Sequence, residues 1–127
     1  MEIVLVDHHC ARFFDPAEDG AVKELAHVEP YDPHGIRRHL EHRESHYKGQ
    51  RVPEEDEYYE QIAQRLKEAS SILLIGDAKG KSSAMLFLVE YLREKHRDTA
   101  ERVIAMVHAD LSKITIREIE EIGRQYA

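Results

Sequence analysis

Three stretches of the chain, residues 3–6, 71–75 and 103–107, are apolar at almost every position. Runs of that length without polar alternation predict strands buried on both faces, as inside a parallel sheet. Residues 10–14 predict a further strand, joined to the first by a short turn at His8 and His9. Asp15 and Pro16 through Gly20 predict a second turn into a weaker strand over residues 22–28, so the chain opens as an antiparallel meander. Pro53 suits a first helical position, and Tyr58, Ile62 and Leu66, spaced by four, predict a helix to about Glu68. A second helix is expected over residues 82–95. With Met85, Leu86, Phe87, Leu88 and Val89 in succession it needs cover beyond a sheet alone. A neighbouring helix is the expected cover, and a homodimer contact through residues 82–95 is the alternative. Thr115 with Glu118 predicts a capping box that opens a last helix, with Ile116, Ile119, Ile122 and Tyr126 turned inward.

Three antiparallel strands followed by helix, strand, helix, strand and helix is the element order of the ribonuclease H-like fold. That is an α/β, three-layer fold in which the first, fourth and fifth strands of a five-stranded mixed sheet run parallel and helices cover both faces. At 127 residues a single domain over 1–127 is expected, large enough for an unaided core. The lone Cys10 excludes an intramolecular disulfide framework and a cysteine zinc cluster, which fits a reducing cytosol. The first residues carry no basic leader, and no apolar run approaches the roughly 20 residues of a membrane span. The expectation is a cytoplasmic protein with no membrane contact.

Charge narrows the functional classes. A net charge of −7 argues against a generic nucleic-acid coat, so any RNA contact must be local. One segment is suited to it. Between residues 34 and 51 stand Arg37, Arg38, Arg43, Lys48 and Arg51 against only Glu41 and Glu44, with His34, His39, His42 and His46 interspersed. A flexible basic loop at about 29–52, with few aliphatic anchors, is expected to meet phosphate. The acidic run that follows, Glu54 to Glu60, reads as a solvated helix start whose carboxylates favour the positive dipole end.

The basic segment ends in Lys48, Gly49, Gln50 and Arg51. A glycine at such a tip can bring a peptide N–H against a reacting carbonyl and stabilise the charge that develops there. Alongside this tip stand Ile3, Val4, Leu5, Val6 and Asp7, then Ala11, Arg12, Phe13 and Phe14, the histidine-rich insert before Tyr58 and Tyr59, and Ile72, Leu73, Leu74, Ile75 and Gly76. In that order, over nearly the whole chain, they resemble the middle domain of archaeal and eukaryotic class 1 peptide-release factors and Pelota. The chain also resembles short bacterial relatives labelled translational-machinery or host-attachment proteins. In the release factors a Gly-Gly-Gln tip helps water attack the peptidyl-tRNA ester. Here Gly49 and Gln50 match that tip, and Lys48 replaces its first glycine. The resemblance implies a ribosome-associated accessory or rescue-type role with ribosome or structured RNA as partner, Gly49 and Gln50 as candidate catalytic residues for ester hydrolysis, and no cofactor.

Other motifs carry competing readings. Gly76, Asp77, Ala78, Lys79, Gly80, Lys81 and Ser82 follow a strand and open a helix as a phosphate-binding P-loop does, but with three residues between the glycines where that motif has four. Lys79 and Lys81 remain candidates for an RNA phosphate near the helix N-terminus. Asp7, Asp77 and Asp110 fall at the same edge of the proposed sheet, where ligands bind in open α/β folds, and could hold Mg²⁺ or Mn²⁺ for phosphodiester hydrolysis. For Asp7 the competing reading is a side chain closing a tight hairpin. The four loop histidines suggest a transition-metal site, or stacking and phosphate contacts with RNA. A non-catalytic protein-interaction module is the remaining class.

Overall fold

The structure, a computed structural model, describes residues 1–29, 53–77 and 83–127. Its elements are β1 (Glu2–Val6), β2 (Ala11–Pro16), β3 (Val22–Val28), α1 (Pro53–Leu66), β4 (Ile72–Gly76), α2 (Ala84–Lys95), α3 (Arg97–Glu101), β5 (Val103–His108) and α4 (Ile116–Tyr126). The strands form one mixed sheet in the order β3-β2-β1-β4-β5. β1 pairs antiparallel with β2, and β2 with β3; β1 pairs parallel with β4, and β4 with β5. This is the α/β architecture and strand parity that the apolar runs predict.

Alternation along the strands divides the core in two. On one face Val4, Val6, Phe13, Ile72 and Leu74 meet Tyr58, Tyr59, Ile62 and Leu66 of α1 and Met85, Leu88 and Leu92 of α2. On the other, Ile3, Leu5, Phe14, Leu73 and Ile75 meet Ile119 of α4. Helices thus cover both faces. The apolar α2 finds its cover in α1, which it touches through the hydrogen bond from Tyr91 to Glu60. α4 is opened by the expected capping box: Thr115 Oγ1 accepts from Glu118 N, and a Glu118 carboxylate oxygen accepts from Thr115 N. It approaches β1 closely at Gly123, where a Cβ would lie 3.0 Å from Ile3 Cδ1.

Two expectations need correction, and one element was not anticipated. β5 is not buried on both faces. It is an edge strand, half-buried along most of its length, and Ile104 is 47% exposed. The register between β4 and β5 shifts at Ile72/Leu73, leaving Ile104 as the extra residue of a bulge. In α4, Ile119 is buried and Ile122 partly so, but Ile116 and Tyr126 lie at the two ends of the helix and are 47% and 42% exposed. α3 answers to no periodic signal, being five residues long. Among the described residues no helix is long and apolar enough to cross a membrane.

Candidate functional site

The carboxyl ends of β1, β4 and β5 lie together because these three strands are parallel and adjacent. Just beyond them a cleft of about 670 Å³ is lined by Asp7, His9, Asp77, Ala109, Asp110, Leu111 and Ser112. The structure therefore brings the three strand-end acids to one place, as their positions predict. Their oxygens serve the backbone. Asp7 Oδ1 accepts from His9 N at 2.7 Å and Cys10 N at 2.8 Å, and Asp7 N donates to Cys10 O, so this side chain closes the hairpin between β1 and β2. Asp77 Oδ1 accepts from Leu111 N at 3.2 Å, tying the exit of β4 to the exit of β5. Asp110 Oδ1 accepts from Ser112 N at 3.0 Å and from Ser112 Oγ at 2.6 Å.

Among the described residues no three His, Cys, Asp or Glu side chains are grouped so as to hold a metal ion. His9 lines the cleft, whereas the His8 ring meets Phe87 edge-on at 5.8 Å. Burial and then the Asp7 carboxylate push the Cys10 thiol above its ordinary pKa, which keeps it from acting as a thiolate. The same two causes, in the same order, raise the Tyr58 phenol. Tyr58 Oη donates to the Asp7 carbonyl at 2.7 Å, pinning the front of α1 to the hairpin.

These contacts locate the ends of the two segments that carry the predicted cations. β3 ends at Val28, opposite Ala11, beside the hairpin that Asp7 closes. α1 starts within reach of Asp7 through Tyr58. Residues 29 and 53 therefore both stand at the carboxyl end of β1. Residues 77 and 83 stand at the carboxyl end of β4, where Ser83 Oγ lies 3.5 Å from the Asp77 carbonyl oxygen. Arg37, Arg38, Arg43, Lys48, Gly49, Gln50 and Arg51, the histidines of the same segment, and Lys79 and Lys81 themselves lie outside the described residues.

Sequence reasoning missed one polar cluster. Glu60 Oε1 accepts from Tyr91 Oη at 2.6 Å and faces His96 Nε2 at 2.7 Å, and its other oxygen accepts from Gln64. Tyr91 and then His96 hold the Glu60 carboxyl down at about 2. Burial and then Glu60 push Tyr91 up to about 12. The run of acids at the start of α1 hides this role, since nothing in the sequence sets Glu60 apart from the acids before it. At the opposite end of the sheet a second cleft, about 640 Å³, includes Lys67, Lys95, Arg97 and Arg102. The first two stand where α1 and α2 end, the place the helix dipole favours for positive charge. Set against family models, curated proteins and solved structures, the chain matches none.

Proposed function

We propose that this chain is a ribosome-associated accessory or rescue-type factor that meets structured RNA with the basic segment 34–51. Arg37, Arg38, Arg43, Lys48 and Arg51 would contact phosphate, Gly49 and Gln50 would form the tip, and Lys79 and Lys81 would add contacts nearby. One observation carries the reading: the described residues that flank both cation-bearing segments converge on a single end of the sheet. Two segments far apart in sequence are thereby tethered where they can face one ligand. The tethering points are firm, since the hairpin is bonded internally and the β4 exit is bonded to the β5 exit. The function assigned is binding. Ester hydrolysis is left out because Lys48 stands where the release-factor tip has a glycine, and a side chain there restricts the backbone.

The metal-dependent nuclease reading gains from the shared cleft of Asp7, Asp77 and Asp110 but loses more from what their oxygens do. Each already accepts at least one backbone N–H. The test is association of purified protein with ribosomes, measured by sedimentation at several salt concentrations. Replacing Arg37 and Arg38 together by Ala should weaken association and flatten its salt dependence by about 1.5 in log–log slope, the share of two phosphate contacts. An unchanged affinity and slope would remove these residues from the interface, and absence from every ribosomal fraction at low salt would end the proposal.

A further inference from the structure

Among the described residues the sheet has β3 and β5 as its outer strands, and the two edges are built differently. β3 carries Lys23, Glu24 and His27, with Glu24 bridged to Arg12 at 2.9 Å and His27 set beside Glu29 at 3.3 Å. Pairing a strand there would strip water from these charges, which is how edges resist unwanted partners. β5, at the other edge, reads Val103, Ile104, Ala105, Met106 and Val107 without a charge. Among the described residues its guard is the bulge at Ile104.

Backbone parity shows what β5 offers. Ala109 N donates to Gly76 O at 2.9 Å. In a parallel ladder, alternate residues turn both backbone groups to the same neighbour, so Ala105, Val107 and Ala109 face β4. Met106 and His108 then turn their N–H and C=O groups outward. The ligand suited to such an edge is an extended strand with few charges. Among the described strands, β3 fails that requirement, and β5 paired with β3 of another copy would leave free edges that propagate without closing. β5 paired with itself closes. Run antiparallel about Met106, it sets outward-facing Met106 against its own copy and His108 against Ile104. Arg102 of one strand then falls level with Asp110 of the other, a match of position and charge sign in which the Arg102 guanidinium keeps its bonds to Lys67 O and Thr99 Oγ1 of its own chain.

We propose that β5 pairs antiparallel with β5 of a second copy of this chain, about a two-fold axis at Met106, making one continuous sheet across the dimer. The proposal is independent of RNA binding, and it moves any self-contact from the α2 helix, covered by α1, to the open strand. Antiparallel pairing also sends the two Asp-lined clefts to opposite ends of the joined sheet. A single strand pair buries less than the roughly 1,000 Å² of a stable specific interface, so association should be weak, with half-dissociation in the micromolar range.

The test is sedimentation equilibrium of the full chain from about 1 to 200 µM, with thermal melts to establish folding of each variant. Wild-type protein should show a monomer–dimer equilibrium. Ile104→Lys, at a site exposed enough to accept it, should weaken dimerisation at least about tenfold by burying a charge at the seam. Leu25→Lys, on the β3 edge, should leave it unchanged. In a Cys10→Ser background, Met106→Cys should form an intermolecular disulfide much faster than Leu25→Cys. A wild-type monomer throughout the range, a dimer indifferent to Ile104→Lys, or equal cross-linking at positions 25 and 106 would each overturn the proposal.

Discussion

Replacing Gly76 by Ala tests whether α2 is set against the end of β4 as closely as the cleft requires. Gly76 is the buried last residue of β4, level with Val6 of β1 and His108 of β5. A Cβ there would come 2.6 Å from Met85 Cβ, 3.1 Å from its Sδ and 3.3 Å from its Cγ. The first separation is below what real Cβ atoms tolerate, and the atom it meets is fixed to the helix backbone, so α2 itself must move. Overpacking of that kind costs about 1–3 kcal/mol. For a domain of this size ~2 kcal/mol lowers Tm by about 8 °C. The identity of the clashing atom sharpens the test. Met85→Ala keeps the Cβ and should not rescue Gly76→Ala, whereas Met85→Gly removes it and should make the second substitution nearly neutral, although the cavity makes that background weaker in itself. Urea unfolding followed by far-ultraviolet circular dichroism suits a chain with no Trp. A Gly76→Ala protein within about 0.5 kcal/mol of wild type, or full rescue by Met85→Ala, would refute the close approach of β4 and α2.

Two further outcomes are expected. Glu60 is held at about 2 in the folded protein against 4.5 ordinarily, so its hydrogen bonds contribute stability that is present above pH 4.5 and lost as pH falls through about 2. Glu60→Gln should flatten the decline of the urea midpoint across that window, and a variant as acid-sensitive as wild type would deny Glu60 the role; its side chain is 37% exposed, so solvent screening keeps the effect modest. Asp110→Asn separates the two functional readings, because the amide oxygen can still accept from Ser112 N while the charge is gone. If the site binds RNA, losing an anion beside the phosphate path should leave association unchanged or strengthen it, whereas a metal-dependent nuclease would lose cleavage; weakened ribosome association in a folded variant would count against RNA approaching this end of the sheet.

The strands that the sequence reveals best are those whose position makes apolarity necessary. β1 and β4 lie inside the sheet and are covered on both faces, so nearly every residue is buried and the run is unbroken. β5 is equally apolar in sequence yet sits at the edge, because apolarity records what a strand can be packed against and not which neighbours it has. The inward residues of α4 were legible at its centre and not at its ends. A stripe repeated every three or four residues marks one helix face, but the face outruns the sheet beneath it, leaving Ile116 and Tyr126 half in solvent. Gly123, which ordinarily counts against a helix, stands where α4 comes close to Ile3. The candidate site was legible in place and not in use. Topology alone sends Asp7, Asp77 and Asp110 to one end, while the turns that claim their oxygens depend on local backbone geometry set by the whole sheet.

The acids at that end constrain how the protein could meet RNA. A chain of net charge −7 that concentrates cations between residues 34 and 51 is more acidic still everywhere else. The cleft walls add Asp7, Asp77 and Asp110 at the very edge where the basic segment is tethered. Phosphate is repelled by the platform and attracted by the segment, so productive approach is restricted to orientations in which the cations arrive first. Indiscriminate coating of RNA is disfavoured by the same charges, because any contact that engages the platform sets phosphate against carboxylate. If the segment binds RNA as proposed, an acidic body would suppress binding everywhere except through it, so that association would depend on a structured partner able to meet that segment alone.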